Sequence, residues 1–285
     1  MQALWTAASG LLSQQRRINA ISNNLANVDT VGYKSQSVSF QDLLYRQFDQ
    51  KQMPTMAQTN PATLTRLSPL GLQLGSGVAN TGPENDFSNG AMKVTSQPLD
   101  FAIQGNSFFA VQVPDGTGKT TLAYTRNGHF QIAEAPDGKQ YLATDQGYKV
   151  TDANGQPIDL TGINPASIRV YPDGTLESGQ KGQLTNLGQV GLFYFGDPET
   201  ALRPAGNNVF AAVAGTPAPM SQLLAVTPQD TQNLGTIHQG FLEQSNVDTI
   251  QQMTDLIQTQ HAFELDAKAI TTADQMMAIA NNLRN

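Results

Sequence analysis

Few side chains in this chain are arranged for chemistry. The three histidines, His129, His238 and His261, lie far apart, and none falls in a His-Glu-x-x-His or comparable ligand spacing. They read as ordinary polar or surface histidines. Ser76 sits in Gly75-Ser76-Gly77, which lacks the G-x-S-x-G frame of a nucleophile elbow. Asp100, Asp145, Asp152 and Asp159 could supply the carboxylate pair of a glycoside hydrolase. Aspartates at turns and strand ends more commonly cap their own backbone. Tyr124, Tyr141, Tyr148 and Tyr171 could stack on sugars in a β-rich binding module, but core and edge-strand positions are the plainer use of such residues. There is no cysteine, which excludes a disulfide framework, a thiolate metal site and thiol catalysis. No catalytic residue, metal or cofactor is expected.

Composition points the same way. The chain has 285 residues and a formal net charge of -7, with only 14% charged residues. That is below the roughly 25% of ordinary soluble chains. An acidic balance disfavours nucleic acid, whose phosphates require a basic patch, and disfavours docking on anionic lipid. The missing charge is replaced by Gln, Asn, Ser and Thr, so copies of the surface could pack closely with little repulsion. No run approaches the roughly 18 apolar residues of a membrane helix. The first 25 residues do not read as a cleavable signal, because Arg16 and Arg17 stand in their middle.

What positions these residues is a chain of three textures. From Met1 to about Val28, Leu4, Leu11, Ile18 and Leu25 are spaced by seven, and Trp5, Ala8, Leu12, Ile21 and Val28 widen the stripe. The resulting face spans about 220°, against the roughly 100° that packing on one core needs. From Val247 to about Leu283 there is neither Gly nor Pro, and Leu256, Phe263, Ile270 and Met277 again keep a seven-residue spacing. That spacing predicts a helix of about 50 Å that supercoils with partners. Ser245 or Asn246 is its expected cap, with Asp248 in the first turn, and Arg284 suits the dipole at its far end. Asn23, Asn24 and Asn27 are placed to cap the end of the first helix, and Gly32 to supply a turn with positive φ.

Between the helices lie the pairs Asn89-Gly90, Asp115-Gly116, Asn127-Gly128, Asp137-Gly138, Asn154-Gly155 and Asp173-Gly174, all hairpin-type signals. The short runs Leu99 to Ile103, Phe108 to Val113, Ile168 to Tyr171 and Val190 to Phe195 read as strands of a sandwich or irregular barrel. The expected fold is α+β: a discontinuous helical coiled-coil domain from both termini (1–34 with 245–285) plus a central all-β domain (80–215). Segments 35–79 and 216–244 are read as extended connections carrying Pro54, Pro61, Pro69, Pro217, Pro219 and Pro228, with a short helix at Phe40 to Phe48.

The run from Ser9 to Gln15, and Ile21-Ser-Asn-Asn-Leu-Ala-Asn-Val-Asp-Thr-Val-Gly-Tyr-Lys34, resemble the N-terminal signature of the bacterial flagellar rod and hook axial proteins. Gln239-Gly-Phe-Leu-Glu-Gln-Ser-Asn-Val247 resembles their C-terminal signature. Leu99 to Phe109 and Tyr124-Thr-Arg-Asn-Gly-His-Phe130 resemble their first β domain. Within that family the chain length and Gly71 to Val78 look most like a distal-rod subunit. Proximal-rod and hook-like members are the alternatives, and a glycan-binding surface module is a rival of a different class.

The resemblance implies a homo-oligomeric helical tube whose inner layer is built by the terminal helices. The assembly interface would then include Leu4, Leu11, Ile18, Ile21, Asn23, Asn24, Leu25 and Asn27, with Leu256, Phe263, Ile270 and Met277. It also implies other rod proteins and hook subunits as partners, and export without a cleaved signal through the flagellar type III gate to an extracytoplasmic basal body. The Phe-x-x-x-aliphatic element Phe40 to Leu44 matches the family's export-gate motif. Its plainer use is to anchor a short helix.

Overall fold

The computed structural model describes residues 2–44, 46–47, 73–115, 119–180, 183–215, 219–221 and 235–282. Pro54, Pro61, Pro69, Gly71, Gly116, Pro217, Pro228, Leu283 and Arg284, singled out above, lie outside them. The fold is α+β: helix α1 (Gln2–Ala26), a β-rich middle containing the short helix α2 (Pro198–Ala201), and helix α3 (Thr249–Asn282). The chain divides into two compact units. One comprises Met1–Ser22, Ser37–Glu84 and Met253–Asn285, the other Asn23–Gln36 and Asn85–Gln252. The division falls inside both long helices.

In the helical unit α1 and α3 run antiparallel. Arg17 Nη2 lies 3.9 Å from Asp255 Oδ1. Nearer the N-terminus, a Cβ on Gly10 would sit 3.1 Å from Asp266 Oδ2. The unit also holds a two-stranded ladder of Gln36–Asp42 with Val78–Asn85, and the antiparallel pair Arg46–Gln47 with Gln73–Leu74. Val78 N donates to Ser9 Oγ at 3.3 Å, which ties the second strand to α1. The expected helix from Phe40 to Phe48 is corrected here. Its described part begins in the strand Gln36–Asp42, whose burial alternates over its first residues as a pleat requires. Spacing i, i+4 cannot distinguish a helix anchor from two same-face positions of a strand, and the Val78–Asn85 partner decides for the strand.

In the β-rich unit the principal sheet has nine antiparallel strands. Its path runs Leu202–Gly206, Val209–Ala212, Lys119–Thr125, Ser107–Asp115, Lys149–Val150, Gln140–Thr144, Phe130–Glu134. Ser107–Asp115 also pairs with Leu192–Tyr194, which in turn pairs with Met220–Ser221. The long strand is apolar on both faces and so feeds two cores. Phe109 and Val111 enter the main cluster with Phe101, Leu142 and Leu192, while Phe108 and Ala110 enter a second cluster with Phe87, Tyr124 and Phe210. Phe87 meets Phe108 and Phe210 edge-on at 5.4 and 5.1 Å, the geometry that aromatic quadrupoles favour.

The hairpin signals Asp137-Gly138 and Asp173-Gly174 stand where the sequence puts them, between paired antiparallel strands. The segment 216–244 is not only a connection, because its described end re-enters the unit as strands. Thr236–Gln239 pairs with Phe101–Gln104, and Phe241–Glu243 pairs with Met92–Val94.

Candidate assembly interface

The two helices carry apolar residues on more than the side they bury. On α3, Leu256, Phe263 and Ile270 are half-buried. Met253, Ile257, Leu265, Met276 and Ile279 are each at least half exposed. At 100° per residue the exposed set falls within roughly 140°, opposite the half-buried set. Met277 lies off that stripe and is 39% exposed. On α1, Leu4, Leu11, Ile18 and Leu25 are half-buried and Ile21 is buried, while Trp5 and Leu12 point to solvent at 76% and 61% exposure. The seven-residue spacing therefore picks out the side of each helix covered within the chain. Beside it on α3 lies the uncovered stripe that includes Ile257 and Leu265.

The end of α1 is locked by amides. Asn27 Nδ2 donates to the Asn23 carbonyl at 2.9 Å, the helix-end bond its position suggested. Asn24 is turned inward and buried. Its Oδ1 accepts from Gln36 N at 2.8 Å, and its Nδ2 donates to the Gln36 carbonyl and to Gln252 Oε1. This makes Asn24 a positioning residue that joins the start of α3 to the end of α1. Tyr33 Oη reaches the side chains of Asn23 and Asn24, and burial raises its phenol above the ordinary value. The cap of α3 also differs from expectation. Asp248 Oδ1 accepts from Ile250 N and Gln251 N, a cap of the kind that contributes about 1 kcal/mol. Asn246 instead uses its amide on Ser35 N, Asp86 O and Ser88, so it bridges two other segments.

Below this turn is a buried ion cluster. Lys34, Arg126 and Glu243 are each at most 2% exposed. Lys34 Nζ lies 2.8 Å from Glu243 Oε1 and donates to the Ser88 carbonyl at 2.6 Å. Arg126 Nη1 lies 3.2 Å from Glu243 Oε2 and also meets Asn89 Oδ1, while Nη2 donates to the Gly105 carbonyl. Gly90 N completes the shell of Glu243 at 2.9 Å. The Arg126 guanidinium also lies 4.9 Å from the centre of the Phe108 ring. Burial pulls Lys34 below the ordinary lysine value, with Glu243 opposing and Arg126 reinforcing the shift. Burial likewise lowers Arg126 against the pull of Glu243. A carboxylate holding two cations out of water stabilises the fold only while every partner is present.

The cluster explains two misread glycine pairs. Asn89-Gly90 and Asn127-Gly128 are not hairpin tips. A Cβ on Gly90 would collide with the Gln244 carbonyl, so only Gly lets this segment pass so close to that backbone. Asn127-Gly128 crosses the strand Phe101–Gln104, with Phe101 N donating to Gly128 O at 3.0 Å. Gly32, at φ +64°, presses against the Arg126 carbonyl and donates its N–H to the Glu243 carbonyl at 2.8 Å. Three separated stretches, Gly32-Tyr33-Lys34, Tyr124 to Phe130 and Gln239 to Val247, thus meet at one carboxylate.

The residues considered for catalysis do not assemble. His129 Nδ1 lies 2.7 Å from the buried Asp100, His238 bonds Gln104, and exposed His261 sits 3.9 Å from Glu264. Asp152 accepts from Asn154 N and Gln156 N of its own turn. Asp159 is pulled down to about 2 by the Thr161 hydroxyl and backbone, with Lys139 adding to the shift. Tyr124 and Tyr141 are buried, so the four tyrosines form no stacking platform. Among the described residues no group of acids and histidines could hold a metal ion, and no helix is long and apolar enough to cross a membrane.

Comparison with known proteins gives this arrangement its class. Residues 4–34 match the family model of the flagella basal body rod protein, and residues 102–178 that of the flagellar hook protein FlgE/F/G D1 domain. Residues 238–283 match the model of the flagellar basal body rod FlgEFG protein C-terminal region. The fold and these matches together mark out the flagellar rod and hook proteins. The flagellar basal-body rod protein FlgG of Borreliella burgdorferi is 37% identical over 286 residues, covering 100% of this chain and 99% of that protein. FlgG of Buchnera aphidicola, from Acyrthosiphon pisum, is 35% identical, covering 96% of each chain. FlgG of Caulobacter vibrioides is 33% identical, covering 100% of each. The chain belongs to the FlgG family of flagellar basal-body rod proteins, structural components of the bacterial flagellum.

Proposed function

We propose that the chain is a distal-rod subunit that polymerises through α1 and α3 into a hollow helical tube. In that tube the terminal helices of neighbouring copies form a coiled-coil inner layer, and the β-rich unit faces outward. The tube transmits torque and passes exported chains through its lumen, between other rod proteins and hook subunits. The observation that carries this reading is the uncovered apolar stripe of α3, with Trp5 and Leu12 uncovered on α1. Burying each large apolar side chain contributes roughly 1.5–3 kcal/mol, and a second copy is the simplest source of that cover. The surfaces in contact include the stripe together with Asn23, Asn27 and Met277, while Asn24 acts from inside by fixing the helix ends.

Phe40 and Leu44 act earlier, as the element read by the type III export gate. In the folded chain Leu44 is 91% exposed and Phe40 is half-buried in the strand Gln36–Asp42, whereas an unfolded chain would offer both. Export by this route places the subunit outside the cytoplasm, in the basal body.

Limited proteolysis of dilute monomer and of assembled rods tests the tube. In the monomer, residues 1–22 and 253–285 are cut well before the β-rich unit, and assembly protects them. Termini equally resistant in both states would sink the proposal. A variant lacking either segment retains the β-rich unit and forms no polymer.

A further inference from the structure

The stretch 236–247, which leads into α3, is bonded along its length to distant parts of the β-rich unit. Thr236–Gln239 pairs with Phe101–Gln104, and Phe241–Glu243 with Met92–Val94, each in a two-stranded ladder. Gly240, at φ +77°, makes the turn that sends the two strands to different partners. Its N–H donates to the Asp100 carbonyl at 2.8 Å, and its carbonyl accepts from Thr95 N at 2.9 Å. Side chains fix the same stretch. Ile237 is 1% exposed inside the main core. Gln239 Nε2 donates to the Pro98 and Ile168 carbonyls, and its Oε1 accepts from Val170 N. Glu243 supplies the carboxylate between Lys34 and Arg126. The stretch also holds the turn after α1, because Gly32 N donates to the Glu243 carbonyl and Ser35 N to Asn246 Oδ1, both at 2.8 Å.

These pairings span long stretches of chain. Gln104 meets His238 across 134 positions, and Lys34 meets Glu243 across 209. Within a hairpin, Val113 and Thr121 meet across 8. Closing a long loop costs entropy that is recovered only once the distant pair has formed, so local hairpins form first. Charge adds a second reason. Until Glu243 arrives, Lys34 and Arg126 have no carboxylate, and burying either ion carries a heavy desolvation cost. The turn that carries Lys34 therefore stays unseated. We propose that 236–247 is a strap that docks last in folding, and that its docking fixes together the end of α1 and the start of α3. Both helix ends belong to the β-rich unit, where Asn24 Nδ2 then reaches Gln252 Oε1 at 3.1 Å. Under the export reading above, an undocked strap keeps the chain open for passage, and docking commits it to assembly. That consequence rests on the export reading, whereas the order of docking does not.

Pulse-labelling hydrogen exchange on the refolding full chain, kept dilute and read amide by amide by NMR, tests the order. Amides of the hairpin strands Phe130–Glu134 and Gln140–Thr144 are expected to gain protection at least about tenfold sooner than those of Thr236–Gln239 and Phe241–Glu243. The Gly32 and Ser35 amides gain theirs with the strap. Native-state exchange tests the coupling. Leu242 is 8% exposed on the strap, and Leu242→Ala loosens it. The Gly32, Ser35 and Gln36 amides then exchange about tenfold faster or more, together with the strap, while the hairpin amides keep their rates. If Leu242→Ala does not fold, Leu242→Val, one methylene smaller, gives the same reading in weaker form. Strap and hairpin amides protected in a single phase overturn the proposal, as does protection of Gly32 and Ser35 before the strap. A Leu242 variant that loosens the strap and leaves Gly32, Ser35 and Gln36 at their original rates also overturns it. A chain that shows the expected order and coupling and is not exported upholds the strap and sinks only the export reading.

Discussion

Phe101, Phe108, Phe109 and Leu192 of the β-rich unit are sealed from water, whereas Trp5, Leu12, Ile257 and Leu265 of the helical unit are each more than half exposed. Both units are built from comparable apolar side chains, and each treats them differently. The β-rich unit closes two cores around one strand and places a buried carboxylate between two cations beside them. The helical unit covers one side of each helix and leaves apolar residues on another. Under the proposed assembly, this division separates a part that closes its own cores from a part that neighbouring copies would cover.

The largest change to this contrast comes from removing the adhesive side alone. Ile257→Glu with Leu265→Glu places two charges on the open stripe of α3. Polymer formation, followed by sedimentation or electron microscopy, is expected to be lost. Monomer stability in urea should move by no more than about 0.5 kcal/mol per exposed site. Polymers of normal yield would place the interface elsewhere.

The next largest effect strikes the finished unit. Glu243→Gln leaves Lys34 and Arg126 buried without a carboxylate, at a cost of about 3–5 kcal/mol. Lys34→Met costs less, because Glu243 keeps Arg126. Urea unfolding followed by circular dichroism measures both, and equal losses would mean that Lys34 carries as much of the cluster as Glu243. The smallest effect is at the unit's surface. Asp159, at about 2, sits below the ordinary carboxylate value of about 3.9. Its contribution is therefore fully present above the ordinary value and is lost as pH falls through about 2. Asp159→Asn should flatten the acid limb of a thermal-melting profile between roughly pH 4 and 2, leaving neutral pH nearly unchanged.

The sequence made the helices legible because nothing interrupts their periodicity, and hairpins such as Asp137-Gly138 legible because the turn chemistry is local. The Asn89-Gly90 and Asn127-Gly128 pairs were misread for a physical reason. A glycine that permits a left-handed turn and a glycine that permits close backbone approach look alike in one dimension, and only the Gln244 and Phe101 carbonyls tell them apart. Glu243 carries no local signal at all, since its partners Lys34 and Arg126 come from distant stretches of chain. Asn246 and Asp248 both suit a helix cap, and the choice fell to Asp248 because Ser35 and Asp86 occupy Asn246. On α3 the seven-residue spacing marks the covered side, and only the packing shows that the apolar residues beside it, Ile257 and Leu265 among them, are left open.

Trp5 is the only tryptophan in the chain, and it stands on the uncovered side of α1. Indole emission moves to shorter wavelength when water leaves the ring. The molecule therefore carries one optical probe, on its helical unit, while the twelve phenylalanines and seven tyrosines are silent at that colour. If copies cover that side of α1 as proposed, the speed at which they do so becomes readable in an unlabelled sample, separately from any event inside the β-rich unit.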